Sequence, residues 1–166
     1  MAELLLAAVI VLLDQLSKVA AAALAMERGD VVLIPGVLGL TYTRNYGASW
    51  GILAGKTGLL LAVTGLVCAA IFLALLLRRP KDTMARAALG MVLGGAVGNA
   101  LDRLADGWVT DMIETLFIRF PIFNVADCFI TVGGLLFCLA VLLEERKKPK
   151  AANKEAENAA GTDGGE

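Results

Sequence analysis

Four apolar stretches constrain the fold of this chain more than any other feature of its sequence. A helix crosses the hydrocarbon core of a bilayer with about 20 residues, and each stretch is close to that length. Hydrophobic residues make up 58% of the chain, well above the share in a soluble domain. We predict an all-α membrane protein with four transmembrane helices, at about residues 4–26, 57–77, 85–101 and 126–143.

The basic residues predict the orientation of these helices. Lysine and arginine cluster at 78–86, between the second and third stretches, and at 146–150, after the fourth. Cytoplasmic loops carry an excess of these residues, so both clusters and both termini are expected inside. The connections at about 27–56 and 102–125 then face outward.

The two outward connections differ in composition. The first is rich in β-branched, aromatic and glycine residues over 31–51, which predicts a small extracytoplasmic β-sheet between helices 1 and 2. The second carries Phe117, Phe120 and Phe123 around Pro121, which indicates an interfacial element between helices 3 and 4. The aromatic residues of the second connection predict anchors among the lipid headgroups, and a cover formed by both segments over a cleft at the outer end of the helices is a hypothesis.

The chain is predicted to form one membrane domain and a tail. Residues 1–148 make up the membrane domain. After Pro149 the sequence has no large apolar residue, so residues 149–166 are expected to form a disordered cytoplasmic tail.

Several kinds of chemistry are excluded by residues that the chain lacks. There is no histidine, which removes Ser-His and Cys-His catalysis and most zinc sites, and no metal or cofactor is expected. The three cysteines, Cys68, Cys128 and Cys138, lie in apolar runs and predict no disulfide framework. A net charge of -1 with clustered basic residues argues against a nucleic-acid partner.

Polar residues inside the predicted helices need partners, because charge is costly in a membrane. Asp14 and Lys18 are four positions apart on one helical face, where they can neutralise each other. Asp102 stands beside Arg103 at the outer end of the third helix, after Asn99. Structural and functional interpretations of these groups both remain open.

The third helix also carries a face of small residues. Gly90, Gly94 and Gly98 recur at every fourth position. Such a face lets another helix approach closely, so we predict helix packing there.

Asp111 and Asp127 suggest a reaction. One lies in the loop that leaves the third helix and the other begins the fourth, so both can reach one cleft at membrane level. Two close carboxylates share a proton, because the pKa of one rises well above the ~3.9 of a free aspartate. The ionised member then activates water while the protonated member polarises a carbonyl, as in aspartic proteolysis. The alternative is two capped helix ends, with Asp127 as the N-cap of the fourth helix.

Serine is a weaker candidate nucleophile. Residues 47–51 read GASWG, which matches the GxSxG pattern of serine hydrolases at Ser49. That serine normally needs a histidine. Ser17 and Lys18 do not form a Ser-Lys dyad, because adjacent helical residues point about 100° apart.

Four motifs in this sequence resemble those of the lipoprotein signal peptidase family, also called signal peptidase II. Their order and spacing match over about residues 4–145. They are DQLSK at 14–18, RNYGASWG at 44–51, GNALDRLADGWVTDM at 98–112 and FNVADCFITVG at 123–133.

The resemblance implies a bacterial aspartyl endopeptidase of the inner membrane. Such an enzyme removes the signal peptide from diacylglyceryl-modified prolipoproteins and cleaves on the N-terminal side of the lipidated cysteine, at the outer leaflet. The implied partners are this substrate and membrane lipid, and the inhibitor globomycin is expected to bind. We expect a monomer.

The resemblance also assigns residues. The catalytic pair falls on Asp111 and Asp127. We expect Asp14 to hold Lys18 and Asp102 to hold Arg103. Met112 and the pair Ser49-Trp50 depart from the family's usual phenylalanine and Ala-Phe. The substrate-binding or site-supporting positions are Asp14, Lys18, Asn45, Gly47, Asn99, Asp102, Arg103 and Asn124.

Two other classes of function remain as alternatives. Carboxylates in a small bundle also suit a proton-coupled membrane transporter, although a transporter commonly has repeated halves and acids near the midplane. A non-catalytic scaffold would use the glycine face as its interface.

Overall fold

Four long helices form the protein, whose computed structural model describes residues 1–78 and 80–161. Over those residues, four helical segments are long and apolar enough to cross a membrane, which confirms the predicted fold class. A π-helical turn, Ala74–Arg78, extends the second helix. The helices are α1 (Ala2–Arg28), α2 (Thr57–Leu73), α3 (Thr83–Ala105) and α4 (Val125–Gly161).

Helix α3 is longer at both ends than the apolar stretch that predicted it. It begins earlier because the Asp82 carboxylate accepts a hydrogen bond from the backbone N–H of Ala85, at 3.1 Å, and caps the first turn. It ends at Ala105, shortly before Gly107 adopts a φ of 83°. The first part of the third motif, residues 98–105 with Asp102, is therefore helical.

Helix α4 continues to Gly161, past the predicted end at Leu143. Alanine, lysine and glutamate are frequent after Leu143, and all three are strong helix formers. The tail predicted to be disordered, 149–166, has helical backbone up to Gly161, and 162–166 lie outside the described residues. Disorder of this tail in solution stays a prediction.

Three antiparallel strands form a small sheet in the order β1-β2-β3. Strands β1 (Val31–Ile34) and β2 (Leu38–Asn45) confirm the sheet predicted between helices 1 and 2. Strand β3 (Val109–Thr115) comes from the second connection and pairs with β2, with Thr43 opposite Asp111. The prediction that Asp111 lies in a loop was therefore wrong, because pairing with a distant strand extends this segment.

The segment after β3 folds back along it. Backbone hydrogen bonds join the N–H of Ile113 to the carbonyl of Phe123, at 2.8 Å, and the N–H of Phe123 to the carbonyl of Ile113, at 3.1 Å. Phe117 is 63% exposed, as an interfacial element would require. This return places Asn124 and the start of α4 beside β3.

Helix α3 contacts both α1 and α4 through its glycines. A Cβ atom at Gly94 would lie 2.8 Å from the carbonyl oxygen of Ala7 in α1. A Cβ atom at Gly95 would lie 2.5 Å from the carbonyl oxygen of Ala126 in α4. Both distances are too short for a side chain, so small residues permit the close approach that the sequence predicted.

Candidate active site

The two candidate aspartates lie at one end of the helix bundle and line the same cavity. Asp111 is on β3 and is only 2% exposed, and Asp127 is in the first turn of α4. The cavity has a volume of about 420 Å³, and its wall includes Asn45, Phe120 and Phe123. The structure therefore brings together two side chains that come from different elements, a strand and a helix.

Two amide groups hold the Asp111 carboxylate. Asn124 donates from Nδ2 to Oδ1 at 2.7 Å, and Asn45 donates from Nδ2 to Oδ2 at 2.9 Å. Burial raises the pKa of Asp111 to about 6, against the two amide donors and the charge of Lys18, while the charge of Asp127 raises it further. Asp111 can thus gain or lose a proton close to neutral pH.

Asp127 is held by a different set of contacts. Asn99 donates from Nδ2 to its Oδ1 at 2.8 Å. The Oδ1 of Asn124, the residue before α4, accepts the backbone N–H of Asp127 at 2.9 Å. Asn124 is therefore the N-cap of α4, and the interpretation of Asp127 as the N-cap was wrong. The Oδ2 of Asp127 in turn accepts the backbone N–H of Asn124, at 3.4 Å, and the same carboxylate lines the cavity.

Gly47 fixes the orientation of Asn45. Its backbone N–H donates to Asn45 Oδ1 at 2.9 Å, so the amide nitrogen of Asn45 must face the other way, toward Asp111. A Cβ atom at Gly47 would lie 2.8 Å from the carbonyl oxygen of Ile52, which explains why glycine occupies this position. The carbonyl oxygen of Gly47 accepts a hydrogen bond from Arg103 Nη2 at 2.8 Å.

Asp102 does not pair with Arg103 in the described structure, so that expectation was wrong. Its Oδ2 instead lies 2.9 Å from Lys18 Nζ. Adjacent helical residues point about 100° apart, and a neighbour in sequence is a poor partner for that reason. The expected pair of Asp14 and Lys18 is present, with 2.7 Å between Asp14 Oδ2 and Lys18 Nζ.

Gln15 belongs to this buried group, although no role was predicted for it. Its Nε2 donates to Asp102 Oδ1 at 2.7 Å and to the carbonyl oxygen of Gly98 at 3.2 Å. The available signal was its position beside Asp14, as a polar residue inside an apolar stretch. Gln15 therefore helps to join α1 to α3.

The serines give no further support to a serine nucleophile. Ser17 Oγ donates to the carbonyl oxygen of Asp14, at 2.7 Å, within its own helix. Ser49 begins a short 3₁₀ turn, and its side chain lies outside the described part of the structure.

A second and larger cavity meets the first at Asp111. Its volume is about 910 Å³, and its wall includes Arg44, Glu114 and Arg119. Trp50 and Phe120 line both cavities, with their ring centroids 6.2 Å apart in an edge-to-face arrangement. The sequence motifs gave no site role to Glu114, Arg119 or Phe120.

The fold and the site define a multi-pass membrane protein with one buried and one half-buried carboxylate at one end of its bundle. The family model described as "Signal peptidase (SPase) II" matches residues 6–143. The chain belongs to the signal peptidase II family and is a peptidase.

Known proteins show the same relationship over most of the chain. The lipoprotein signal peptidase of Brevibacillus brevis is 43% identical over 144 residues, which cover 86% of this chain and 96% of that protein. The lipoprotein signal peptidase of Clostridium acetobutylicum is 38% identical over 149 residues, covering 88% and 97%. A solved structure described as a bacterial membrane enzyme has a TM-score of 0.79 and 31% identity, covering 89% of this chain and 91% of that one.

Proposed function

We propose that this protein removes the signal peptide from diacylglyceryl-modified prolipoproteins by aspartic catalysis, with Asp111 and Asp127 as the catalytic residues. The relatives named lipoprotein signal peptidase support the substrate class. The observation that carries the mechanism is that both carboxylates line one cavity of about 420 Å³.

The two aspartates act with one proton between them. The ionised carboxylate takes a proton from a water molecule as the water oxygen attacks the scissile carbonyl carbon. The protonated carboxyl donates its proton to the carbonyl oxygen. As the tetrahedral intermediate collapses, the carboxylate that has given up its proton takes one from a hydroxyl of the intermediate, the C–N bond breaks, and the leaving nitrogen receives the proton that the other carboxyl took from water. The pKa of Asp111, about 6, suits a group that exchanges this proton near neutral pH.

The position of the cavity suits a lipidated substrate. The cysteine that follows the cleaved bond carries acyl chains, so the bond is held at the surface of the bilayer. The cavity lies at one end of the bundle, where Phe123 and Ile130 give its wall an apolar part. We place this end at the outer leaflet of the inner membrane and both termini in the cytoplasm, because the basic clusters mark the opposite end as cytoplasmic.

The comparisons do not support the transporter alternative. Loss of a gradient would stop a transporter, whereas a peptidase cleaves in detergent. We expect cleavage by the purified monomer without a cofactor, and inhibition by globomycin.

The test is a gel-shift assay of a diacylglyceryl-modified prolipoprotein in detergent. We expect Asp111→Asn and Asp127→Asn to abolish cleavage, because either change removes a member of the proton-sharing pair. Ser49→Ala should cleave normally. Asp106→Asn is the matched control, since Asp106 is an exposed aspartate at the end of α3.

Each result has a definite meaning if all variants are folded. Near wild-type cleavage by either site variant would refute the aspartic mechanism. Failure of the wild type to cleave a lipidated precursor would refute the proposed substrate.

A further inference from the structure

The ammonium group of Lys18 is buried next to the candidate catalytic pair. It makes no hydrogen bond to Asp111 or Asp127 in the described structure. Lys18 is 5% exposed. Its Nζ lies 2.7 Å from Asp14 Oδ2, 2.9 Å from Asp102 Oδ2 and 3.0 Å from Asn99 Oδ1. The need to neutralise charge inside the membrane explains why Lys18 contacts two carboxylates. It does not explain the contact with the amide oxygen.

Two partners of Lys18 extend its contacts to the backbone of the site. Asp14 Oδ1 accepts the backbone N–H of Ala126 at 2.9 Å, and Ala126 immediately precedes one candidate catalytic residue. Asp102 Oδ2 accepts the backbone N–H of Thr110 at 3.1 Å, and Thr110 immediately precedes the other. Lys18 therefore holds the carboxylates of Asp14 and Asp102. These carboxylates in turn bind the backbone of α4 and β3 at the residues that precede the two catalytic aspartates.

The third partner of Lys18 is Asn99, which contacts a catalytic side chain directly. A lysine ammonium group only donates hydrogen bonds, so Asn99 must present its oxygen to Lys18. The amide nitrogen of Asn99 then faces Asp127 Oδ1, at 2.8 Å. Asn124 Nδ2 also donates to the oxygen of Asn99, at 3.0 Å, which supports the same orientation.

We propose that Lys18 is a positioning residue for the peptidase reaction: it orients the Asn99 amide toward Asp127 and, through Asp14 and Asp102, fixes the backbone beside both catalytic residues. This inference rests on the proposed function. Lys18 itself touches no reacting atom. A lysine that served only to neutralise two buried aspartates would affect folding and leave the rate of the chemical step unchanged in the folded enzyme.

The first test is Lys18→Met, which keeps an apolar stem and removes every donor. We expect kcat to fall by roughly 100-fold, because a small misplacement of catalytic groups has an effect of that size. KM should stay within about twofold, because a change confined to transition-state contacts lowers kcat and kcat/KM alike. Steady-state cleavage of the lipidated precursor measures both constants.

Arg86→Met is the matched control. Arg86 Nε pairs with Glu3 Oε1 at 2.8 Å, which joins the same two helices, α1 and α3, but neither residue lines the catalytic cavity. We expect the control to lower Tm in detergent and to leave kcat unchanged. A positioning role predicts this contrast, and a purely structural role predicts the same behaviour for both variants.

A double-mutant cycle tests the contact with the amide. If Lys18 acts through Asn99, Lys18→Met should lower kcat less in an Asn99→Ala background than in the wild type. Should Lys18→Met not fold alone, its effect is measured by comparing Asp14→Asn with Asp14→Asn/Lys18→Met. That double variant keeps the net charge of the buried group formed by Asp14, Lys18 and Asp102.

The outcomes separate this inference from the proposed function. A wild type that does not cleave the precursor defeats the function. A wild type that cleaves, with a Lys18→Met variant of unchanged kcat, overturns the positioning role. Effects of Lys18 and Asn99 that simply multiply overturn the action of Lys18 through Asn99. A loss of kcat that depends on Asn99 supports it.

Discussion

At the scale of single residues, Asp111 has surroundings that differ strongly from those of a free carboxyl group. It is 2% exposed and accepts hydrogen bonds from Asn45 and Asn124. The two amides replace only part of the lost water, so the pKa remains raised, at about 6. A group able to accept and release a proton near neutral pH is thereby obtained, at a cost in stability.

This cost predicts that the difference in free energy of unfolding between the wild type and Asp111→Asn depends on pH. The folded pKa of Asp111, about 6, is above the unfolded value of ~3.9, so the folded state binds the proton more tightly. The contribution of the Asp111 carboxyl to the free energy of unfolding is therefore fully present below pH ~4 and is lost as the pH rises through about 6. Relative to Asp111→Asn, we expect the wild type to lose on the order of 2 kcal/mol between pH 4 and 7.

Thermal unfolding of both proteins in detergent at several pH values measures this difference. Asp106→Asn serves as a control for the removal of an exposed carboxylate. Parallel pH profiles for wild type and Asp111→Asn would contradict the raised pKa.

Sequence reasoning found residues whose partners are local and missed those whose partners are distant. Asp14 and Lys18 could be paired because positions i and i+4 share a helical face. The contact between Lys18 and Asp102 could not be inferred, because it depends on how α1 packs against α3. For the same reason, the hydrogen bond of Gln15 to Asp102 had no signature beyond a polar residue in an apolar stretch.

At the scale of elements, the glycines of α3 set the distances between helices. Gly98 is the position where packing meets the site, because a Cβ atom there would lie 2.6 Å from Asp14 Oδ2. Asp14 in turn holds Lys18 and the start of α4. Added volume at Gly98 should therefore disturb both the contact between α1 and α3 and the buried charges.

We expect Gly98→Ala to destabilise the protein by roughly 1–3 kcal/mol, the usual effect of overpacking a close contact. The control is Gly134→Ala on α4, where an added Cβ atom meets nothing within 4 Å. Alanine is the better helix former, so the control should be neutral or slightly stabilising. Tm values in detergent compare the two, and an unchanged Tm for Gly98→Ala would show that α1 and α3 separate easily.

The helices could be predicted from sequence because each membrane span must satisfy its backbone internally and present apolar side chains to lipid. Strand β3 could not be predicted in the same way. It is defined by pairing with β2 across more than 60 intervening residues, and one of its buried positions is Asp111. A carboxylate at a buried position hides the hydrophobic alternation by which a strand is usually recognised.

At the scale of the whole molecule, the connection between α1 and α2 and the connection between α3 and α4 form one structure, although they were predicted as separate segments. Strands β2 and β3 join them into a single sheet, and the segment from Phe117 to Phe123 returns to the start of α4. The candidate site is thus built from α1, α3, α4 and both connections. The motifs contain both aspartates and the asparagines that contact them but gave no role to Gln15 or Phe120, and the arrangement of all these residues depends on this long-range pairing.

This arrangement suggests that the sheet and the segment from Phe117 to Phe123 act as a cover over the cavity. The edge-to-face contact of Trp50 with Phe120 joins the short turn Ser49–Gly51, which follows β2, to this segment. Arg119 is exposed and lines the larger cavity, so trypsin should cut after it when the cover is open. Lys56 is also exposed, but it lines neither cavity.

Globomycin should therefore slow tryptic cleavage after Arg119 and leave cleavage after Lys56 unchanged. If the inhibitor binds only the closed form, the open population falls by about 100-fold at a concentration 100 times its Kd. Mass spectrometry of the fragments over time measures the two rates within one sample, so Lys56 controls for any effect on trypsin itself. Equal rates with and without globomycin would rule out a cover that closes on the ligand, because protection at Arg119 requires that segment to become less accessible when the cavity is filled.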